Sequence, residues 1–459
     1  MSLFRRSMGV TALAALSTLL VMACGGGSNG GGGNGSSGTV GYATSQPKVK
    51  ITFWYMPNGA APNDYFKAEA AAFNAAHPNI EVEGTLVDWG DAFNKITTAL
   101  TSGVGPDVTQ LGTTWVGAFS KTGGLHPFSQ AEVDGLGGKS AFVPGAWASS
   151  SLVGSGQTTA IPWFIDTRAI YYRADVLNRL GIDPATAFST WDAFDQTLGK
   201  IKAEGKIQPF GIPGKNAYDV VHNFAPWVWG AGGDYITSDG SKATIDQDPA
   251  VDGVFQFESL AAKYVDKAVL QKANNDVEAL FGAGQFAVTT DGPWLAQQLQ
   301  QPKSQGGFGD DVTAKAGFGT APYPAGPKDH KVFFGGSNLA VLKSSKNEAA
   351  AYEWVKWLTN QGQPTYVSKV GMWPSRELSA NASVFASDKY DTAFKNQLQF
   401  GKSYPMIAAW GPIETALVKD FGNLWDQVSS SNGPVPRATV KDDMSKAAQD
   451  VNAAIQQSK

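Results

Sequence analysis

An acidic and a basic residue lie close together in the sequence, directly after an apolar segment. Asp166 and Arg168 follow the apolar run 160–165, and 14 tryptophans are spread over the 459 residues. Sugar rings present hydroxyl groups at their rims and C–H groups on their faces, so aromatic surfaces with a few carboxylates and guanidinium groups can bind them. The combination predicts a carbohydrate site. The other interpretation of Asp166 and Arg168 is a salt bridge at a hinge.

Several tryptophans could supply the aromatic surface of such a site. Trp294 follows a Gly-Pro pair, and Trp410 ends a short apolar stretch. Taken from the residues alone, each fits a hydrophobic core as well as a binding site. His222, Asn223 and Trp227 lie close together in the chain and could line one wall of a cleft. Core packing explains Trp227 equally well.

Four residues that can bind a ligand follow the carboxyl ends of predicted strands, and open α/β sheets bind ligands at that edge. They are Asn58, Thr113, Thr114 and Trp115. The pair Gly335 and Gly336, followed by Ser337, would let backbone N–H groups approach a hydroxyl group closely. Arg376 could donate two hydrogen bonds to sugar oxygens. For each of them a structural role stays open beside the site role.

Other chemistries lack their usual motifs. The four histidines are more than 40 residues apart and form no HExxH or Cys/His array, which disfavours a zinc site. There is no GxSxG elbow and no P-loop, so we expect no catalytic residue, metal or cofactor. Glycoside hydrolysis needs only two carboxylates brought together in space. A secreted carbohydrate-cleaving enzyme is therefore the alternative function.

Charge and cysteine content exclude further classes. The formal net charge of −4 offers no broad positive field, so nucleic acid is not an expected partner. Cys24 is the only cysteine, so the fold cannot depend on an intramolecular disulfide.

The N-terminal segment has the features of an export signal. Arg5 and Arg6 precede an apolar run over 8–23, which is shorter than the roughly 20 residues of a membrane-spanning helix. The residues before Cys24 resemble the lipobox of bacterial lipoproteins, which implies a signal peptide over 1–23 and lipidation of Cys24. The following residues are rich in Gly, Ser and Asn, so we expect a flexible tether over 24–47.

The rest of the chain alternates between strand and helix patterns. Strands are predicted over 49–55, 80–87 and 107–111, with helices over 64–76 and 91–101 between them. This order predicts an α/β fold with a parallel sheet covered on both faces.

Seven separated segments resemble one family, the extracellular solute-binding proteins of bacterial ABC importers, in particular the sugar-binding group that includes the maltose-binding protein. The segments begin at Gly105, Ile161, Thr190, Phe281, Pro322, Gly335 and Gly371. The resemblance implies a periplasmic-binding-protein-like fold of two lobes, each a sheet flanked by helices, joined by hinge segments. It implies a first lobe over 48–163 and 323–372 and a second over 164–322 and 373–459. The crossings are expected near 163–165, 320–323 and 371–374.

The resemblance also implies a function. Trp294 and Trp410 fall where relatives place aromatic platforms, and Asp166 falls at a crossing beside the cleft. The implied role is capture of a di- or oligosaccharide by hinge closure and its delivery to a membrane permease, without catalysis. The implied form is an extracytoplasmic monomer, anchored to the cell membrane by lipid on Cys24.

Overall fold

The computed structural model describes residues 41–215, 219–377 and 389–459. The predicted signal peptide, Cys24 and the tether up to residue 40 lie outside these ranges. Within them, no helix is both long and apolar enough to cross a membrane.

Among the described residues, the strands form two sheets, one of seven strands and one of four. The strands of the first sheet are β1 (Val49–Tyr55), β2 (Ile80–Leu86), β3 (Val108–Gly112), β4 (Ile161–Thr167), β9 (Val332–Val341), β10 (Trp373–Pro374) and β11 (Gly401–Lys402). Those of the second sheet are β5 (Ala169–Arg173), β6 (Gln208–Gly211), β7 (Phe286–Asp291) and β8 (Phe318–Ala321).

The first sheet has the strand order β10-β4-β9-β3-β1-β2, with β11 beside β9. The strand β1 runs parallel to β2 and β3, and alternate side chains of β1 are buried. The strand β9 runs antiparallel to both β3 and β4. The predicted parallel arrangement thus holds for β1, β2 and β3, and the later strand β9 makes the complete sheet mixed.

The second sheet has the order β6-β7-β5-β8. Its strands β6 and β7 are parallel, whereas β5 is antiparallel to both β7 and β8.

Helices cover both sheets. Those beside the first sheet are α1 (Pro62–Ala76), α2 (Trp89–Ser102), α3 (Val116–Lys121), α4 (Gln130–Gly135), α5 (Pro144–Ala148), α14 (Glu348–Leu358) and α15 (Gln363–Val370). Those beside the second are α6 (Ala174–Arg179), α7 (Pro184–Ala187), α8 (Trp191–Glu204), α9 (Asp219–Gly230), α10 (Asp248–Tyr264), α11 (Asn274–Gly282), α12 (Trp294–Gln300), α13 (Val312–Ala316), α16 (Asp391–Leu398), α17 (Trp410–Ser430) and α18 (Arg437–Gln457).

Each sheet with its helices forms a lobe with its own hydrophobic core. In the first lobe, Phe53 of β1 packs against Trp354 of α14, with ring centroids 5.8 Å apart. In the second lobe, Phe224 of α9 stacks on Phe421 of α17 at 4.1 Å. We call these units the first lobe and the second lobe.

The chain passes directly from one sheet to the other at two places, and after β10 it continues into helix α16 of the second lobe. Arg168 alone separates β4 in the first sheet from β5 in the second. The chain returns between β8 and β9, over 322–331, and leaves the first sheet again after β10. These passages lie close to the three predicted crossings. The residue bounds proposed for the lobes stay a prediction.

Candidate functional site

A cavity of about 550 Å³ is lined by residues of both lobes. Six of the residues singled out in the sequence line it, and they come from four separate segments. They are Asn58, Asp166, Arg168, Trp294, Gly336 and Ser337. The cavity thus gathers residues that are more than 270 positions apart in the chain.

Arg168 lies at the passage from β4 to β5 and connects the parts of the cavity. Its Nη1 donates to Asp166 Oδ1 at 3.0 Å, and its Nη2 donates to Asp219 Oδ1 at 2.6 Å. The side chain is 3% exposed. Its guanidinium carbon also lies 5.4 Å from the ring centroid of Phe333 on β9. Arg168 therefore combines the two roles left open by the sequence, a hinge ion pair and a component of the cavity wall.

Trp294 supplies a partly buried aromatic surface at the start of α12. Its Nε1 donates to Glu278 Oε1 at 2.7 Å. The guanidinium carbon of Arg168 lies over its ring, 4.8 Å from the centroid. The hydroxyl group of Tyr171 donates to Gly292 O and accepts from Ala296 N, which fixes the first turn of α12. Because Arg168 covers one face of the indole, a ring-shaped ligand could stack only on the other face.

Burial governs the ionisation of the charged groups around Arg168. It raises the pKa of Asp166, although the positive charge of Arg168 acts in the opposite direction. Burial opposes the charge of Arg168 itself, but Asp166, Asp219 and Asp291 outweigh it and raise the pKa of Arg168. Burial raises the pKa of Glu278 to about 6, against the hydrogen bond from Trp294. Asp166, Arg168 and Asp219 thus form a compact set of paired charges in the cavity wall, and Glu278 lies outside that set.

On the first lobe, a buried network of hydrogen bonds holds Asn58 and Ser337. The Nδ2 of Asn58 donates to Gln110 Oε1 at 3.1 Å and to the hydroxyl group of Tyr366 at 3.0 Å. The Nε2 of Gln110 donates to Ser337 Oγ at 2.9 Å. These hydrogen bonds therefore connect the long strand β9 with the segment after β1 beside the cavity.

Gly336 brings the backbone of β9 against that of β4. Its φ angle is +137°, and a Cβ atom there would lie 2.1 Å from Phe164 O. A residue with a Cβ atom therefore does not fit at this position. The wall of the cavity next to Ser337 is consequently formed by main chain.

The start of α2 adds residues that the sequence argument did not select. The side chain of Asp88 caps this helix by accepting from Gly90 N at 2.8 Å. Trp89 lines the cavity, and its Nε1 donates to Pro57 O at 3.0 Å. Trp89 is therefore a second aromatic candidate, on the lobe opposite to Trp294.

Three further candidates line a separate cavity of only about 10 Å³. They are Thr113, Thr114 and Gly335. The Oγ1 of Thr114 and the Nε1 of Trp115 both donate to Glu414 Oε2, at 2.9 and 3.1 Å. Burial raises the pKa of Glu414 to about 8, and these two hydrogen bonds oppose the rise. Thr114 and Trp115 thus join the first lobe to α17 of the second lobe.

The interpretation of Trp410 as an exposed platform is corrected by its burial. Its side chain is 0% exposed, and its ring stacks on Tyr404 at 4.2 Å. A ring without exposed surface presents no face to a ligand. His222 is also 0% exposed; it stacks on Phe333 at 3.8 Å, and its Nδ1 lies 3.0 Å from the Tyr404 hydroxyl group. Both residues belong to the core that surrounds the start of α17.

Three other candidates also lie outside both cavities. Trp227 is 0% exposed and stacks on Phe257 at 5.2 Å, which is the core role considered for it. Asn223 is buried on the same helix. Arg376 donates from Nη1 to Leu136 O at 2.7 Å and lies over Phe142. Arg376 thus fastens the chain after β10 to the first lobe, instead of facing the cavity.

The two lobes touch at the rim near α1 and α12. The hydroxyl group of Tyr65 donates to Gln301 Oε1 at 2.8 Å. A Cβ atom on Gly306 would lie 2.5 Å from Ala60 O, so the main chains of the two lobes also approach closely here. These contacts exist only while the lobes are close together.

The sequence argument did not select two carboxylates of the cavity, Asp219 and Glu278. Each is an acidic residue on a helix, a pattern that usually indicates a solvated face. One signal was available for Asp219, because it precedes His222 by one helical turn. In the described part of the chain, no three His, Cys, Asp or Glu side chains are grouped so that they could hold a metal ion.

Comparison with protein families gives one clear match. The family model described as "Bacterial extracellular solute-binding protein" matches residues 57–363. The chain is 29% identical over 410 residues to the diacetylchitobiose binding protein DasA of Streptomyces coelicolor, covering 86% of this chain and 87% of that protein. It is 23% identical over 448 residues to a maltooligosaccharide ABC transporter solute-binding lipoprotein of Streptococcus pneumoniae, covering 95% and 96%.

The fold is shared with solved structures. The maltose-bound MalE3 of T. maritima superposes with a TM-score of 0.77 at 23% identity, covering 88% of this chain and 99% of that one. This likeness confirms the predicted two-lobed α/β fold.

Proposed function

The chain belongs to the bacterial extracellular solute-binding proteins, and from this premise we propose that it captures a di- or oligosaccharide between its lobes and delivers it to the permease of an ABC importer. The observation that carries the proposal is the pairing of Trp294 with the carboxylates of Asp166, Asp219 and Glu278 on one cavity. An aromatic face with acceptors around it matches the C–H face and the hydroxyl rim of a sugar.

The size of the cavity suits a small-molecule ligand, and two aromatic candidates favour more than one sugar ring. Its volume of about 550 Å³ falls within the range of roughly 300–1,000 Å³ that is typical of small-molecule sites. A second aromatic candidate, Trp89, lies on the opposite lobe. Relatives named for diacetylchitobiose and maltooligosaccharides support the same ligand class.

The mechanism that we propose is closure of the lobes around the ligand. Arg168 lies where the chain changes sheets and contacts both Asp166 and Asp219, so a rotation of the lobes acts on the residues that line the cavity. A sugar that contacts Trp294 and Trp89 together would favour the closed state, because only that state offers both surfaces. The permease would then recognise the closed form.

The anchor is part of the proposal. We infer an extracytoplasmic monomer held to the cell membrane through lipid on Cys24, in line with a relative named as a lipoprotein. The cavity would then be presented outside the cell, where an importer collects its substrate.

A sugar panel tests the proposal. Thermal-shift and calorimetric titrations with mono-, di- and oligosaccharides should show saturable binding of at least one di- or oligosaccharide, with glycerol phosphodiesters and amino acids as controls. The bound sugar should be recovered intact, as judged by mass and reducing-end assays. Release of new reducing ends above a blank without protein would indicate the carbohydrate-cleaving enzyme instead. Binding of amino acids alone would overturn the carbohydrate assignment.

A further inference from the structure

The hydrogen-bond donors around the cavity are largely engaged with the protein itself. Both N–H bonds of the Asn58 amide are used within the first lobe. The Nε1 atoms of Trp89 and Trp294 donate to Pro57 O and Glu278 Oε1. The Nζ of Lys215 lies 2.6 Å from Asp426 Oδ1. The hydroxyl group of Ser337 and the amide of Asn275, both on the cavity wall, donate to no protein group in the described part of the chain.

The acceptors keep spare capacity, because each lining carboxylate accepts only one or two side-chain or backbone hydrogen bonds from the described residues and a carboxylate can accept about four. Four carboxylates line the cavity, and they belong to Asp88, Asp166, Asp219 and Glu278. The Oε1 of Gln298, a lining residue that is 8% exposed, has no hydrogen-bond partner. A buried acceptor without a partner costs free energy, so this atom is suited to a donor on a ligand.

The charge balance of the lining residues is negative. Arg168 and Lys215 are the cations among them. Arg168 is already paired with Asp166 and Asp219, and Lys215 with Asp426, which does not line the cavity. A negative charge therefore remains near Glu278 and Asp88 that no lining cation balances.

We propose that the cavity prefers a sugar that carries a protonated amino group over the neutral sugar of the same shape, and that it excludes acidic sugars. This inference rests on the proposed function and names the ligand class within it. An ammonium group has three donors and no acceptor, which complements a wall of acceptors. It also meets Glu278 as an opposite charge in a partly dry site. A carboxylate or sulfate on the sugar would bring like charges together there.

The test compares sugars that differ in one substituent. Within the stereochemical series that binds best in the sugar panel, the hydroxyl, free amino, N-acetyl and uronic acid derivatives are titrated calorimetrically at pH 7. We expect the amino derivative to bind at least tenfold more tightly than the hydroxyl derivative, and the uronic acid to bind at least tenfold more weakly. The advantage of the amine should shrink as sodium chloride is raised, because salt screens the attraction.

A pair of variants locates the effect. Glu278→Gln should reduce the advantage of the amine while changing the affinity for the hydroxyl derivative less. The matched control is Asp91→Asn, which removes one carboxylate from an exposed position of α2 that pairs with Lys95. This control should leave the ranking of the four sugars unchanged. The ranking in the unaltered protein still tests the proposal if Glu278→Gln does not fold.

The possible failures are distinguishable. If the hydroxyl derivative binds as tightly as the amine, or the uronic acid binds best, this inference is wrong and the proposed function stands. If no derivative of any series binds, the proposed function is wrong and this inference falls with it.

Discussion

The guanidinium carbon of Arg168 lies 4.8 Å from the ring centroid of Trp294. The two residues come from different elements, the passage between β4 and β5 and the first turn of α12. A cation stacked on an indole is attracted to the ring by its quadrupole. Arg168 therefore orients the aromatic surface as well as neutralising Asp166 and Asp219.

Arg168→Met should impair stability and binding together. Removing one partner of a buried ion pair leaves uncompensated charge, at a cost of about 3–5 kcal/mol. We expect a lower melting temperature and an affinity for sugar at least tenfold weaker, measured by calorimetry and titration. Arg437→Met, which breaks an exposed ion pair with Asp252, is the control and should melt near the wild type. Wild-type affinity in Arg168→Met would show that Trp294 needs no positioning.

Trp294→Ala and Trp410→Ala should have opposite effects. Trp294 is partly exposed to the cavity, so its loss should weaken binding at least tenfold with a small change in melting temperature. Trp410 is fully buried, so its loss should cost about 3–5 kcal/mol of stability. Thermal melts with and without sugar, together with titrations, separate the two. A Trp410→Ala protein that melts normally and binds poorly would restore its role as a platform.

Tyr65→Phe should weaken closure without destabilising either lobe. The hydroxyl group of Tyr65 donates across the rim to Gln301, and a hydrogen bond of this kind contributes about 0.5–1.5 kcal/mol. We expect sugar affinity to fall roughly 2- to 12-fold, mainly through faster dissociation, as measured by stopped-flow fluorescence. Tyr42→Phe removes a bond to Pro47 O outside the rim and should change nothing. Equal rates in the two variants would count against a rim contact that favours closure.

Glu414 should make the protein less stable at alkaline pH. Burial raises the pKa of Glu414 from 4.5 to about 8. The folded state therefore binds this proton more tightly than the unfolded state. Its contribution to stability is complete below pH 4.5 and is lost as the pH rises through 8.

Glu414→Gln should remove that part of the pH dependence, because an amide keeps an oxygen for Thr114 and Trp115 but cannot ionise. Urea unfolding at pH 5, 7 and 9 measures it. The control is Glu258→Gln. Glu258 is a separate carboxyl, and burial raises its pKa to about 7. This variant should still lose stability as the pH rises through 8, because Glu414 is intact. Identical pH profiles for the wild type and Glu414→Gln would contradict the assignment.

Cys24→Ser should release the protein from membranes. The chain from residue 25 to 38 contains only Gly, Ser and Asn, so it offers no apolar surface to replace a lipid anchor. Fractionation of cells that express each form, followed by immunoblotting, measures this release. Retention of the variant on washed membranes would mean that another element binds the membrane.

The sequence indicates the residues whose environment is local. The alternating side chains of 49–55 predict β1, and a charged pair after an apolar strand predicts the position of Asp166 and Arg168. In both cases the pattern lies within a few residues of the chain, so the sequence contains the information.

Residues that depend on distant partners could not be predicted. Trp294 and Trp410 look alike in the sequence, and the difference between them arises because Tyr404 and the distant Tyr235 pack against Trp410. The role of Arg376 is set by a carbonyl group 240 positions away, at Leu136. Glu278 becomes important only because α11 brings it to the indole nitrogen of Trp294.

The main-chain wall at Gly336 limits how this site can be redesigned. A Cβ atom at this position would collide with Phe164 O, so substitution there cannot add a new side chain for a ligand. Engineering or evolutionary change of ligand preference must therefore act at lining positions that carry side chains, such as Trp89, Trp294 and Gln298. The contact between β4 and β9 keeps position 336 as a constant part of the cavity while those positions can diversify.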